Sequence, residues 1–479
     1  MIKKLLFAIA MILQGMFLCA QTFLSVELLE QYTADELESL SFSQTNFDQG
    51  AKAYKVTYET NDLEGNVAIV SGLLALPEDL TKRYPLACYQ HGTSGTKENV
   101  PSRLELDALI AISLAGKGYV TVAPDLLGLG DHEGVHPYVH AASEAWVAVD
   151  MMRAVRDYAE SQNILMNDQV FLTGYSQGGH SAMALHRYLE QNVPGEFSVA
   201  AAAPMSGPYS ISEVMYDLMV SDEEYTRPGY LINTFISYKA VYGDVFNSIE
   251  ETFKEPYQEF VEAFSNHQIS LNQLDSALVA QLELNEGAVI PVRILKEAYK
   301  ESVTSDPDHP MILAMKDNDV FDWTPSAPTR MYYCTADEEV PFVNSVLADS
   351  VMDANGAADV EAVDINPLLT HFLCALPAAI QTVDFFEIYQ EIDDPSVATE
   401  EVAHNGLEVF PIPSDGFLKV KNIKTDGLLT VYDLTGKKWY QSPVSAGEYL
   451  LWLNEIPSGM YVLSLLSNDY IRSQKIIIQ

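Results

Sequence analysis

One serine in this chain stands where a nucleophile is useful. Gly174-Tyr175-Ser176-Gln177-Gly178 follows the strand-like run Val170-Phe171-Leu172-Thr173 and opens a helical pattern. A sharp strand-to-helix turn there strains the serine backbone and lifts its hydroxyl above a sheet, while small residues on either side let strand and helix approach. Such a hydroxyl can attack an acyl carbon if a base lies within reach. The pentapeptide alone is moderate evidence, and its placement between strand and helix carries the weight. A second group of chemical residues, His132, His136 and His140 with Asp131 and Glu133, has the composition of a metal site. Its plainer reading is a loop locally rich in histidine. With no C-x-x-C pair and no H-E-x-x-H, neither metal nor cofactor is expected.

The elements around Ser176 alternate. Ala53–Thr60 and Val67–Pro77 flank Asp62–Asn66 as a hairpin. Leu86–Gln90, Tyr119–Pro124, Val170–Thr173 and Val199–Met205 read as strands, and Leu104–Lys117, Ser143–Gln162 and Gly178–Asn192 as the helices between them. Short apolar strands separated by amphipathic helices predict a mostly parallel sheet covered on both faces. Residues 27–45 have helical spacing and read as an N-terminal arm. The alternation lapses over about 208–325, a helical stretch rich in tyrosine and phenylalanine. It resumes at Thr329–Thr335 and ends with a helix over Thr370–Tyr389, so 208–325 reads as an inserted cap above the nucleophile. Its aromatic residues and methionines, Met205, Met215 and Met219 among them, are at helical spacing, so most belong to the cap's own core and a minority are left to line an apolar acyl slot.

With these elements in place, the chain resembles the α/β-hydrolase superfamily, secreted lipase- and esterase-like members included, over roughly residues 50–390. The resemblance implies an α/β-hydrolase fold and a chain order of serine, acid, histidine. His371, in Leu368-Leu369-Thr370-His371-Phe372, stands at the head of the last helix where the family has its general base. Asp337 fits the acid, because Met331-Tyr332-Tyr333-Cys334-Thr335-Ala336-Asp337-Glu338-Glu339-Val340-Pro341 is similar to the family's strand followed by D-x-x-V-P. Glu338 and Glu339 beside it read as solvated carboxylates. Acyl transfer also needs donors for an oxyanion. The resemblance implies the backbone N–H of Gln177 and that of Thr93, the latter in His91-Gly92-Thr93-Ser94-Gly95, which resembles the H-G-x loop of lipases and esterases. His91 is then a loop-shaping residue. Pro124-Asp125-Leu126-Leu127-Gly128-Leu129-Gly130 resembles the family's D-x-x-G-x-G turn, and Asn318 to Pro325, with Trp323, the approach to its last strands.

The ends of the chain carry other work. Lys3 and Lys4 precede the apolar run Leu5–Phe17, and Leu18-Cys19-Ala20 closes residues 1–20 as a secretory signal peptide. No later segment offers 18 consecutive apolar residues, so no stable membrane span is expected. Cleavage would leave Cys88, Cys334 and Cys374, which allow one disulfide at most. Cys88 and Cys334 lie in apolar strand-like runs and read as buried free thiols. Residues 391–405 are acidic and polar and read as a linker. From 406 to 479 short strands punctuated by Gly and Pro predict a small all-β sandwich. Val409-Phe410-Pro411-Ile412-Pro413, Val431-Tyr432-Asp433-Leu434-Thr435-Gly436-Lys437, Ile456-Pro457-Ser458-Gly459-Met460-Tyr461 and Lys475-Ile476-Ile477-Ile478 resemble the C-terminal sorting domain of the type IX secretion system of Bacteroidetes. Ile412 departs from the asparagine common there, and Gln479 from a frequent basic terminus. Trp439 and Trp452 keep a carbohydrate-binding sandwich open as the other reading.

The 479 residues include 67 acidic and 27 basic side chains, a formal net charge of −40. That acidity disfavours nucleic acid and anionic membrane surfaces as partners. Residues 406–479 hold seven of each sign, so the excess belongs to residues 21–405. Hydrophobic residues make up 48% of the chain, ample for a packed core rather than disorder. Together these readings predict a secreted or cell-surface serine hydrolase that cleaves carboxylic esters through Ser176, His371 and Asp337, with an acyl-enzyme intermediate. Its expected partners are a small-molecule, lipid or glycan ester and the type IX machinery. The competing readings are a polysaccharide-directed acetyl or feruloyl esterase, a serine peptidase, and a hydrolase-like surface module that only binds.

Overall fold

The computed structural model describes residues 22–41, 45–395, 408–433, 436–454, 456–467 and 471–479. The signal segment 1–20, most of the linker and His404 lie outside the described residues, as do Leu434 and Thr435 of the sorting motif. The chain forms two compact units, divided between Asp394 and Pro395.

The first unit is built on nine strands: β1 Phe23–Tyr32, β2 Ala51–Asn61, β3 Val67–Pro77, β4 Tyr84–Gln90, β5 Val120–Pro124, β6 Met166–Tyr175, β7 Ser198–Met205, β8 Thr329–Tyr333 and β9 Val360–Asp364. Their order is β1-β2-β3-β5-β4-β6-β7-β8-β9. From β5 to β9 the neighbours are parallel, and β1 to β3 add an antiparallel flank joined to β5. Strand β4 is buried along its whole length because both of its faces are covered. Leu86 and Cys88 point into the layer of helices α3 (Ala141–Gln162) and α4 (Gln177–Gln191), with Val147, Met151, Leu185 and Leu189. Ala87 and Tyr89 point the other way, toward helices α2 (Ala108–Gly116) and α13 (His371–Glu387). A short helix α1, Ala34–Leu40, opens with a capping box from Thr33 to Glu36.

Two readings are corrected here. The supposed helical arm over 27–45 is an edge strand followed by a short helix: Val26 pairs with Val56 and Leu28 with Tyr54. Cys334 is not a free thiol. It is joined to Cys374 by a disulfide with Cα atoms 6.1 Å apart, while Cys88 stays buried and free. The apolar run around Cys334 is buried as expected, but its partner lies 40 residues on, in the first turns of α13.

Between β7 and β8 the chain runs through helices α5 Tyr216–Val220, α6 Pro228–Tyr242, α7 Ile249–Thr252, α8 Tyr257–Ser265, α9 Leu271–Glu286, α10 Glu297–Ser305 and α11 Pro310–Asp317. They enclose a core of their own, with Ile232, Phe235, Tyr238, Phe253, Leu274 and Leu278 at its centre. Helix α12, Val343–Ala354, then leads from β8 to β9. No helix among the described residues is long and apolar enough to cross a membrane.

Among the described residues the second unit has seven strands: β10 Glu408–Phe410, β11 Phe417–Ile423, β12 Gly427–Asp433, β13 Lys438–Val444, β14 Gly447–Trp452, β15 Gly459–Ser467 and β16 Ile471–Ile478. They form antiparallel sheets in the orders β10-β11-β14 and β13-β12-β15-β16. Leu418, Val420 and Leu451 of one sheet meet Leu429, Val431, Leu463, Leu465 and Ile476 of the other. This alternation of inward and outward residues makes a small sandwich. Trp439 is half-buried and donates its indole N–H to Asp433, whereas Trp452 is exposed on β14.

Cross-linking a loop of this length typically contributes about 2–4 kcal/mol to stability. Replacing both Cys334 and Cys374 by Ala is therefore expected to lower the unfolding free energy by about that amount. Chemical denaturation of the variant against the oxidised protein measures it.

Candidate active site

The nucleophile position is made by close contact between backbones. A Cβ on Gly178 would lie 2.0 Å from the carbonyl oxygen of Gln90 in β4, and one on Gly174 would lie 2.2 Å from the carbonyl oxygen of Gly178. Only residues without side chains allow α4 to start this near β4 and β6. Between them Ser176 takes φ 60° and ψ −123°, a conformation that non-glycine residues rarely adopt. Its N–H donates to Met205 O at 3.0 Å, which ties the turn to the end of β7.

Ser176 Oγ lies 2.9 Å from His371 Nε2, and His371 Nδ1 lies 2.7 Å from Asp337 Oδ2. All three residues are buried. Facing a carboxylate, Nδ1 carries the ring proton, so Nε2 is free to accept the serine hydroxyl. The other oxygen of Asp337 accepts the N–H groups of Glu339 at 3.0 Å and Val340 at 2.8 Å, which aims the carboxylate. Burial disfavours the charged form of His371. The hydrogen bond and charge of Asp337, joined by the charges of Glu339 and Glu338, outweigh it and raise the imidazole pKa above its ordinary value.

His371 is also held by its backbone. Its N–H donates to Glu338 Oε2 at 2.9 Å, and Tyr175 donates its hydroxyl to His371 O at 2.5 Å. The Cys334–Cys374 bond joins a residue three before Asp337 to one three after His371. Glu338 and Glu339 are thus more than solvated carboxylates. Glu338 is exposed but bonded to the helix that carries His371. Glu339 accepts the Tyr230 hydroxyl at 2.8 Å, and its carbonyl accepts that of Tyr225 at 2.9 Å, so the cap is fastened to the acid loop. Sequence reasoning passed over Tyr175, Glu338 and Glu339 in these parts, because each depends on a contact across more than 30 residues.

The loop after β4 reaches the same place. A Cβ on Gly92 would lie 3.8 Å from Ser176 Cβ, and the Gly92 N–H donates to Asp107 Oδ2 at 2.7 Å. Thr93 Oγ1 is 3.3 Å from the Tyr138 hydroxyl. Among the described residues no protein acceptor takes the backbone N–H of Thr93 or Gln177. His91 is buried, with Nδ1 2.7 Å from Gly92 O and Nε2 3.2 Å from Asp125 O, a bridge between two loops. Asp125, buried in the D-x-x-G-x-G turn, accepts the hydroxyls of Ser71 and Ser102, each at 2.5 Å. Histidines 132, 136 and 140 have separate partners: His132 Nδ1 accepts the Gly128 N–H, His136 Nδ1 faces Leu127 O, and His140 Nδ1 faces Ser143 Oγ. Among the described residues no three His, Cys, Asp or Glu side chains are grouped to hold a metal ion.

Ser176 and Gln177 open into a cavity of about 630 Å³, its open mouth included. The body contributes Tyr138, Val139, Glu339 and Val340, and the cap Ile211, Met215, Leu218, Met219, Tyr225, Tyr230 and Leu231. Met215 and Met219 line this cavity, whereas Met205 is buried under the serine turn. The walls are predominantly apolar, with polar groups at the serine end, at the Tyr230–Glu339 pair and at Thr234.

This strand-turn-helix with its buried Ser, His and Asp is the arrangement of a hydrolase. The chain belongs to the alpha/beta hydrolase family, whose model matches residues 91–363. Residues 408–479 match the secretion system C-terminal sorting domain, which marks the protein for export to the cell surface or beyond. A protein of solved structure from Legionella pneumophila is similar at 26% identity and TM-score 0.69, over 77% of this chain and 98% of that one. The rice cell wall degrading esterase LipA from Xanthomonas oryzae is similar at 27% identity and TM-score 0.67, over 76% and 97%. Candida antarctica lipase A shares the fold at 16% identity and TM-score 0.54, over 73% and 77%. No curated protein sequence matches the chain.

The raised pKa of His371 has a consequence for pH dependence. Neutral imidazole is the form that can take the serine proton, so the acidic limb of kcat/KM is expected above the ordinary imidazole value of about 6.5. Glu338→Gln removes one of the charges that raise it but keeps an oxygen for the His371 N–H. A pH–rate profile of this variant is expected to show the acidic limb moved to lower pH.

Proposed function

We propose that the protein is an exported serine esterase. Ser176 Oγ attacks the ester carbonyl carbon while its proton passes to His371 Nε2. The carbonyl oxygen becomes an oxyanion against the N–H groups of Gln177 and Thr93. Collapse breaks the bond to the alcohol, which leaves with the proton from His371, and the acyl group stays on Ser176. Water, deprotonated by the same imidazole, then releases the acid and restores the serine. Asp337 orients the ring and stabilises its charged form without taking the proton. The observation that carries this reading is the continuous chain from Ser176 Oγ through His371 to Asp337 at the floor of an apolar pocket.

The apolar walls supplied by the cap favour an uncharged, hydrocarbon-like acyl group, and the excess acid on the catalytic unit disfavours anionic substrates. A second reading, esters attached to polysaccharide, is supported by the likeness to an esterase whose name records cell wall degradation. We divide the chain accordingly into a signal peptide over 1–20, a catalytic domain over 21–390 with its cap at about 208–325, a linker over 391–405 and a sorting domain over 406–479.

Ser176→Ala is expected to lower the rate on p-nitrophenyl butyrate by at least about 10³-fold without unfolding the protein. A rate equal to that of the wild type would remove the serine mechanism. Acetylated or feruloylated glycans offered to the same pair separate the two substrate classes. For export, a chain lacking 406–479 is expected to accumulate in the periplasm, and cell fractionation measures it. Unchanged levels at the surface and in the medium would argue against sorting by this segment.

A further inference from the structure

Beneath the nucleophile turn lies a buried polar cluster that the reaction as written does not use. Glu144, in the first turn of α3, is 1% exposed. It accepts three hydrogen bonds from one face of α4: Gln177 Nε2 at 2.7 Å on one oxygen, with Ser181 Oγ at 2.7 Å and His180 Nδ1 at 3.1 Å on the other. Positions 177, 180 and 181 are neighbours on a helix surface, so one carboxylate grips the whole first turn. The far nitrogen of His180 lies 2.8 Å from Asn318 O, so that ring faces an acceptor on both sides.

The Gln177 side chain has a second anchor. Its Nε2 lies 2.8 Å from His136 Nε2, and His136 Nδ1 lies 2.9 Å from Leu127 O. Burial, the larger influence, holds His136 down to about 4, so it is neutral; Nδ1 donates to Leu127 and Nε2 accepts. With a carboxylate on one side and an accepting imidazole on the other, only the NH2 end of the amide fits. Both of its hydrogens are used, and the side chain is held in one place.

Gln177 is the first residue of α4, and its backbone N–H is one of the helix-start donors left without an intrahelical partner. We propose that Glu144 and His136, acting through the Gln177 side chain, are positioning residues for the oxyanion donor at residue 177. The inference rests on the esterase reading above. An oxyanion is bound well only by a donor already aimed at it, because reorganising that donor during the reaction costs most of its benefit. A glutamine tied at its far end to two other elements cannot swing, and its N–H keeps its direction as charge develops.

The test uses the full-length enzyme with Glu144→Gln and, separately, Gln177→Met. The first removes a negative charge close to the developing oxyanion, which on electrostatics alone would speed the reaction. A slower variant therefore reports lost geometry. The second keeps the length of the side chain, drops both anchors and leaves Glu144 with Ser181 and His180, so it stands if Glu144→Gln fails to fold. Each is measured for kcat and KM on p-nitrophenyl butyrate and for inhibition by phenylboronic acid, whose tetrahedral adduct on serine places an oxygen in the oxyanion position. The expected result is a fall in kcat of roughly ten- to hundredfold, less than the roughly 10²–10³-fold cost of deleting a donor outright. Boronate affinity falls by a similar factor, while KM and the acidic limb of the pH profile stay where they are. A folded Gln177→Met with kcat within threefold of wild type overturns the proposal, as does a fall in kcat with unchanged boronate affinity. Failure of the esterase reading itself shows differently, as Ser176→Ala with undiminished activity.

Discussion

The nearness of helix α4 to strands β4 and β6 is the constraint from which the candidate active site follows. Two hydrogen-only positions, Gly174 and Gly178, let backbone meet backbone where any side chain would collide. That contact forces the turn at Ser176 into its left-handed conformation, with the cost met by the surrounding sheet and the bond to Met205. The same contact sets the start of α4 directly behind the serine, so the free N–H groups of a helix end come to the place where negative charge would form. The proposed nucleophile and its electrostatic surroundings are one structural decision rather than two.

The proposed base and acid are held by different means. His371 begins a helix and Asp337 lies in a loop, and the serine turn reaches them through the Ser176–His371 hydrogen bond and the Tyr175 hydroxyl. A disulfide, the Glu338 bond to the helix N–H and the paired amides behind Asp337 fix them to one another. The imidazole thus has its ring, its backbone and its helix restrained separately. In a buried site the gain from such pre-aimed groups is large, because water is not there to reorganise around them.

Much of this was legible in the sequence, for identifiable reasons. Ser176 is marked by a local turn, and local turns leave a residue signature. The βα alternation is written in short apolar runs, and the boundaries of β4 to β7 fall within a few residues of those runs. Edge strand β1 was hidden because it needs backbone partners on one side only, and its leucines at 24, 28 and 29, with Leu37 and Leu40, suit a helix equally well. The Cys334–Cys374 pair was hidden because pairing is decided by where distant elements meet. Glu144 reads in sequence as one acid near the start of a long helix, and Glu338 and Glu339 as surface charge. Their partners lie between 33 and 114 positions away. Contacts of that kind belong to the fold and have no local pattern.

The cap supplies most of the pocket wall from one uninterrupted stretch of chain, which leaves the body at the end of β7 and rejoins it at β8. It has a hydrophobic core of its own. The serine, the histidine and the acid all lie outside that stretch. Most of the pocket wall and the proposed catalytic residues therefore occupy separate stretches of the gene. A single insertion, deletion or exchange between two fixed strand ends can reshape most of that wall while Ser176, His371 and Asp337 keep their places.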